Sequence, residues 1–161
     1  MKKLNILNFN TTLFCLISFC AIGQSDGKFN SLEKALANPD AVISLNLAKQ
    51  DLTTLPPTIG TLVNLEDLQL YDNKITTIPE EIGNLKNLTF LDLSSNQLIE
   101  ITDEIGQAKN LETLNLSFNK LTSIPASISN LHKLTHLNLN KNQIKALPCL
   151  LYTSPSPRDR G

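Results

Sequence analysis

The sequence predicts a solenoid in which short parallel β-strands line a concave face and irregular or 3₁₀-like backbone forms the convex face. Three observations predict it. Similar strings recur every 23 residues, beginning at Leu65, Leu88, Leu111 and Leu134. Each string begins with alternating leucines, and a proline recurs on the return path of most copies. A fixed period of roughly 20 to 50 residues is typical of stacked units that bury a core only against their neighbours.

Residues 1–23 have the features of a secretory signal peptide. Lys2 and Lys3 give it a positive start, a mostly apolar stretch runs from Leu13 to Ile22, and cleavage is expected before Gln24. A transmembrane helix needs about 20 apolar residues, and polar residues interrupt this stretch on its upstream side. We therefore expect no transmembrane anchor once the signal peptide has been removed.

Residues 24–41 are expected to form a segment that caps the N-terminal end of the solenoid. A cap residue and an apolar stripe predict a short helix there, with Asn30 or Ser31 as the N-cap and Leu32, Leu36 and Phe29 as stripe candidates. Pro39 disfavours helical backbone in the residue before it and ends the helix. Such a helix shields a core end that would otherwise be open.

Residues 42–148 contain four full copies of the repeat and one truncated copy. The copy that begins at Leu65 reads LEDLQLYDNKITTIPEEIGNLKN, and the shared pattern is L-x-x-L-x-L-x-x-N-x-L-x-x-L-P-x-x-I-G-x-L-x-N. This pattern resembles the leucine-rich-repeat family over about two-thirds of the chain. The resemblance implies an α/β repeat fold, a leucine-rich-repeat solenoid, that binds other macromolecules.

An asparagine recurs where the chain leaves each predicted strand, in the column Asn73, Asn96, Asn119 and Asn142. An amide at this point can pair with backbone groups that the turn leaves unsatisfied. The family resemblance implies that these side chains stack as an internal ladder. Their role is therefore expected to be structural.

Residues that alternate with the core leucines are predicted to form the concave surface. Eight of them are candidate binding residues: Asp67, Gln69, Tyr71, Phe90, Asp92, Asn115, His136 and Asn138. Tyr71 and Phe90 belong to adjacent repeats, so their rings are expected to lie near each other as aromatic anchors with a polar surround. Ordinary cross-strand packing is the alternative. Phe118, beside the asparagine column, is expected to be partly buried.

Other classes of function find little support in the composition. Residues 24–148 contain ten lysines and fourteen acidic residues, a net charge of -4, whereas nucleic-acid binding needs a clustered basic face. His132 and His136 fall in a turn and on a strand, so they do not share a helical face that would hold a metal. We expect no catalytic residues, no metal and no cofactor, and hence no enzyme.

The predicted function is therefore recognition by a secreted or envelope-associated module, through its concave face. The ligand is expected to be a protein, with a glycan as an open alternative. A lysine-, asparagine- and isoleucine-rich composition with only two arginines favours a bacterial source, which places the module in the periplasm or at the cell surface. Two alternatives remain: the recognition part of a larger enzyme or signalling protein with an effector domain after residue 148, and a structural spacer.

Residues 149–161 read CLLYTSPSPRDRG and break the repeat pattern. This string resembles the translation of a sequencing adapter, so a non-native tail is predicted, with a genuine Ser/Pro-rich linker as the alternative. The three cysteines, Cys15, Cys20 and Cys149, all lie in the predicted signal peptide or tail. No disulfide is therefore expected in the repeats.

Overall fold

In a computed structural model that describes residues 26–145, six short strands form one parallel sheet in chain order. The strands are β1 Lys28–Phe29, β2 Ser44–Asn46, β3 Asp67–Gln69, β4 Phe90–Asp92, β5 Thr113–Asn115 and β6 His136–Asn138. The predicted signal peptide, residues 1–23, and the predicted tail, residues 149–161, lie outside the described residues. The predicted solenoid with a parallel concave sheet is confirmed.

The strands β2 to β6 stack in a constant register of 23 residues. Their central leucines are Cα partners of one another, in the order Leu45, Leu68, Leu91, Leu114 and Leu137. The leucines of β2 to β4 are fully buried, as alternation predicts, because every second side chain of a strand points to the same face. The intervening side chains are thereby aligned on the opposite, concave face.

The convex side of each full repeat contains a 3₁₀ helix. These helices are Pro57–Thr61, Glu80–Asn84, Asp103–Gln107 and Ala126–Asn130. An extended residue precedes each one, and it is a proline in three repeats and Thr102 in the other. Proline suits this point because its fixed φ fits extended backbone. Thr102 adopts the same conformation, with φ -64° and ψ 147°, so the 3₁₀ helix also forms in the repeat that lacks this proline.

Glycine allows consecutive 3₁₀ helices to stack closely. A Cβ atom added to Gly83 would lie 2.6 Å from the main-chain oxygen of Glu104, and one added to Gly106 would lie 2.5 Å from that of Ser127. Neither glycine has a positive φ, so space rather than backbone conformation is what requires glycine here. The isoleucine-glycine pair of the repeat pattern therefore sets the spacing of the convex side.

The N-terminal helix α1 spans Leu32–Ala37, as predicted, and Ala35 is buried in the core. Ser31 is the N-cap residue, as predicted, although its side chain makes no capping hydrogen bond. One detail of the prediction is wrong. Phe29 lies in β1 and not on the helix, because the open edge of β2 pairs with it, in the register Phe29 to Leu45.

The capping role of residues 24–41 stays a prediction.

Within the described residues, no helix combines the length and apolar character needed to cross a membrane.

Candidate binding face

The concave face is built from rows of side chains that run across the strands. The first row is Ser44, Asp67, Phe90, Thr113 and His136, and the second row is Asn46, Gln69, Asp92, Asn115 and Asn138. Just after the strands, the third row comprises Ala48, Tyr71, Ser94, Ser117 and Asn140. Neighbours in a row lie about 4.8 Å apart, which is the spacing of hydrogen-bonded strands. The side chains of the first two rows therefore lie next to one another across the whole sheet.

Four members of the second row hold the turn that follows their strand. The Oδ1 atoms of Asn46, Asp92, Asn115 and Asn138 each accept a backbone N–H from two residues further on, over 2.9–3.2 Å. Such Asx turns are a favoured local structure of Asn and Asp. This role was not predicted, although Asn or Asp recurs at this position in four of the five copies and is the sequence signal for it.

These turns decide what the second row offers to a ligand. The Nδ2 donors of Asn115 and Asn138 have no hydrogen-bond partner among the described residues, while the Oδ1 atom of Asn115 accepts both the N–H and the hydroxyl of Ser117. Asp92 is left with an acceptor, its Oδ2 atom. Across β4, β5 and β6 the row therefore reads acceptor, donor, donor.

Gln69 is the exception in the second row, because its longer side chain bonds to neighbours instead of to its own turn. Its Nε2 atom donates to both carboxylate oxygens of Asp67, over 3.0 and 3.2 Å, and its Oε1 atom accepts from Asn46 over 3.1 Å. Ser44 also donates to Asp67, over 3.2 Å. The predicted site residues Asp67 and Gln69 are thus partly engaged within the protein.

A groove of about 400 Å³ crosses β4 to β6 and brings together four of the eight predicted residues. Those four are Phe90, Asn115, His136 and Asn138. Leu114 and Leu137 also line the groove, and Thr113 lies between Phe90 and His136. His136 is exposed, with its Nδ1 atom 2.8 Å from the hydroxyl of Thr135. A second depression, of about 480 Å³, lies at the other end of the face beside Asp67 and Gln69.

Tyr71 and Phe90 do not form the predicted aromatic pair. Phe90 is the Cα partner of Asp67, and Tyr71 lies four residues beyond Asp67 along the chain. At about 3.3 Å per residue, this offset separates the two backbone positions by about 13 Å along the sheet. The ring of Tyr71 instead lies under the ammonium of Lys49, whose Nζ atom is 5.8 Å from the ring centroid.

Phe118 is exposed, and the prediction that it is partly buried is wrong. It is 57% exposed and has a φ of 56°. Lys49, Asp72, Ser95 and Lys141, at the same position of the other repeats, also have φ between 55° and 58°. The left-handed backbone turns the chain out of the strand, and the side chain at this position lies beside the face and not beneath it.

The asparagine ladder beneath the face is present. Asn96, 7% exposed, accepts the N–H of Ile75 over 3.0 Å and donates to the carbonyls of Leu70 and Leu93 over 3.0 and 3.1 Å. Equivalent bonds are made by Asn73, Asn119 and Asn142. Each asparagine joins two consecutive repeats, so the ladder fixes the positions of the strands that carry the face.

Charge on the face is sparse. Asp67 and Asp92 are the only carboxylates in the three rows, and the rows contain no lysine or arginine. Within residues 26–145 the one salt bridge joins Lys74 and Asp51, beside the face, over 2.7 Å. In this pair the ammonium of Lys74 donates a hydrogen bond to Asp51, and this hydrogen bond lowers the pKa of the Asp51 carboxyl. On the convex side, the hydroxyl of Thr102 lowers the pKa of Glu104 in the same way.

Two family models match the chain: "Leucine rich repeat" over residues 41–98 and "Leucine Rich repeats (2 copies)" over residues 109–152. The chain belongs to the leucine-rich-repeat family. The two matches include every strand from β2 to β6 and all eight predicted site residues. A comparison with curated proteins finds no match.

Solved structures of this family resemble the chain. It is 39% identical to a leucine-rich-repeat protein of Leptospira interrogans, with a TM-score of 0.62 over 77% of this chain and 38% of that one. It is 30% identical to the plant peptide hormone receptor RGFR1, solved in complex with RGF2, with a TM-score of 0.65 over 77% and 20% of the two chains.

A third similar structure is the leucine-rich-repeat ectodomain of the membrane receptor kinase GASSHO1/SCHENGEN3 from Arabidopsis thaliana, solved in complex with CASPARIAN STRIP INTEGRITY FACTOR 2. The identity is 32% and the TM-score 0.66, over 77% of this chain and 15% of that one. The chain thus spans at most 38% of the length of these three proteins.

Proposed function

We propose that this leucine-rich-repeat chain is a binding module that holds a polypeptide ligand on its concave face. The groove across β4 to β6 carries the proposal, because it combines an aromatic ring, Phe90, with the amide donors of Asn115 and Asn138, which have no partner within residues 26–145. Similar structures support a polypeptide as the ligand, since the plant peptide hormone receptor was solved in complex with RGF2.

The chemistry of the groove suits a main chain laid across the strands. A polypeptide carries N–H donors and C=O acceptors along its length, which complement a row that presents acceptor, donor and donor groups. Phe90 supplies apolar contact area at one end of the groove, and aromatic residues dominate the binding energy of many interfaces. The hydrogen bonds select the ligand's orientation, and the ring contributes most to its affinity.

Phe90→Ala is expected to weaken ligand binding at least about tenfold, which corresponds to the roughly 1.4 kcal/mol typical of an aromatic hot-spot residue. The ligand is obtained by selecting peptides from a random display library against the full chain, and its affinity is measured by calorimetry. Ile99→Ala is the matched control, because Ile99 is 54% exposed and lies outside the three rows. This control is expected to leave affinity unchanged.

Circular dichroism establishes that both variants fold. Failure to select any peptide, or equal losses in the two variants, would contradict the proposal. Glycans are tested in parallel on an array. If a glycan binds in a manner that depends on Phe90 and no peptide binds, the concave face is still the binding site but its ligand is a glycan.

We also propose that the module acts outside the cytoplasm, in the envelope or beyond. The support is the signal peptide predicted at residues 1–23 and the similarity to a receptor ectodomain. Fractionation of cells expressing the full chain, with and without residues 1–23, tests this. Retention of both forms in the cytoplasm would contradict it. No catalytic role is proposed.

A further inference from the structure

We infer that the ligand places a basic side chain, Lys or Arg, against Phe90 and between the carboxylates of Asp67 and Asp92. The inference rests on the proposed function and specifies the chemistry of the ligand at one end of the groove.

The first step is the charge on the face. Asp67 and Asp92 are the only carboxylates in the three rows, and neither forms a salt bridge within residues 26–145. Lys28 lines the same depression as Asp67, and the ammonium of Lys49 lies over Tyr71 of the third row, but neither lysine forms a salt bridge with Asp67 or Asp92. The two carboxylates therefore have no ion-pair partner among residues 26–145.

The second step is the way these carboxylates are held. Asp67 accepts hydrogen bonds from Ser44 and Gln69, and Asp92 accepts one from the N–H of Ser94. All of these donors are neutral, so the hydrogen bonds orient the two carboxylates without pairing either of them with a cation. A fixed charged group needs little further ordering when a ligand cation arrives, which favours binding.

The third step is the position of Phe90 between them. Asp67 is its direct partner on β3, with the two Cα atoms about 4.8 Å apart by strand spacing. Asp92 follows Phe90 by two residues on β4, which separates their Cα atoms by about 6.6 Å. Phe90 is half-buried and lines the groove, so part of its ring is accessible. A cation placed over the ring gains from the ring quadrupole and from both carboxylates together.

Of the two basic side chains, arginine fits this arrangement better. Its guanidinium is planar, stacks on an aromatic ring and donates several hydrogen bonds in its own plane, whereas an ammonium is a compact point charge. The remainder of the ligand then extends from Phe90 along the groove towards His136. The Nδ2 atoms of Asn115 and Asn138 are placed to donate to its carbonyl groups.

The test uses N-acetyl-arginine amide as the probe, titrated into the ¹⁵N-labelled full chain and followed by NMR. N-acetyl-citrulline amide is the control probe, because it has nearly the same shape and no charge. The arginine probe is expected to shift the backbone amide signals from Phe90 to Asp92 and that of Thr113. The citrulline probe is expected to bind about threefold or more weakly.

Asp92→Asn is expected to weaken binding of the arginine probe about threefold or more, since it removes one carboxylate. The variant should fold, because Asn115 and Asn138 occupy the same row position and hold the same turn. Asp72→Asn is the matched control. It removes the same charge from an exposed residue beside the rows, and it is expected to leave binding unchanged.

Equal binding of the two probes, or equal losses in the two variants, would overturn the inference. Peptides selected against the chain separate this failure from failure of the proposed function. If they bind through Phe90 but have no excess of Lys or Arg and are insensitive to Asp92→Asn, the inference is wrong and the function stands. If no peptide binds while the arginine probe does, the proposed function is wrong.

Discussion

Asn96→Ala is expected to lower the free energy of unfolding by about 3–5 kcal/mol. The substitution removes four hydrogen bonds at once, which join Asn96 to the N–H of Ile75 and to the carbonyls of Leu70, Leu93 and Ser94. The site is buried, so water does not readily replace the lost bonds, and each unsatisfied group costs about 1–3 kcal/mol. Because Asn96 joins two repeats, the loss also weakens the contact through which a solenoid transmits stability.

Urea denaturation followed by circular dichroism measures the effect. Asn87→Ala is the control, because Asn87 is exposed and its amide donates one bond, to the carbonyl of Val63 over 3.0 Å. The control is expected to lose less than about 1 kcal/mol. A similar, small loss in both variants would show that the ladder does not stabilise the stack.

Gly83→Ala is expected to destabilise the protein by about 1–3 kcal/mol, the usual range for overpacking. Two effects oppose each other here. Replacing glycine reduces the entropy of the unfolded chain, which favours folding by about 0.4–1 kcal/mol. The new Cβ, however, lies 2.6 Å from the main-chain oxygen of Glu104 and 3.1 Å from its Cβ. Backbone cannot rotate away as a side chain can, so we expect the overlap to dominate.

The control for this prediction is Ser129→Ala, at the same repeat position of the fourth full copy. Position 129 already carries a Cβ, and the serine hydroxyl makes one exposed bond, to the carbonyl of Ala126 over 2.8 Å. Its loss is expected to cost less than about 1 kcal/mol. Thermal unfolding of both variants separates the outcomes, and a Gly83→Ala protein as stable as the parent would refute the role given to close stacking.

Repetition explains why so much of this fold is predictable from its sequence. A single alternating segment such as Leu68–Leu70 is ambiguous, but five copies in phase require a stack in which equivalent residues face each other. The rows of the concave face, the ladder and the 3₁₀ helices follow from that requirement. None of them depends on contacts between parts of the chain that lack the period.

The errors arise where the period stops or where a turn intervenes. The strand β1 contains two residues and pairs because the edge of β2 is open, which no local pattern of Lys28 and Phe29 reveals. Phe118 is exposed although it adjoins the buried asparagine column, because its left-handed backbone turns the chain out of the strand, and its position beside Asn119 does not reveal this. The separation of Tyr71 from Phe90, by contrast, follows from their positions in the repeat and could have been read from the sequence.

The eight candidate residues were chosen by position, and position does not reveal which polar atoms are already engaged. The structure adds that information. Asp67 and Gln69 bond to each other, whereas the Nδ2 donors of Asn115 and Asn138 are free within the described residues. Hydrogen-bond geometry therefore places the free amide donors of the candidate site in the half of the concave face across β4 to β6, with Asp67 at its border on β3.

Photo-cross-linking tests most directly whether this half of the concave face binds the ligand. The photoreactive residue p-benzoyl-phenylalanine is introduced at Thr113, in the groove, or at Gln107, exposed on the convex side. Irradiation with a peptide selected against the full chain is expected to link the peptide through position 113 and not through position 107. Cross-links through position 107, with none through position 113, would contradict binding on the concave face.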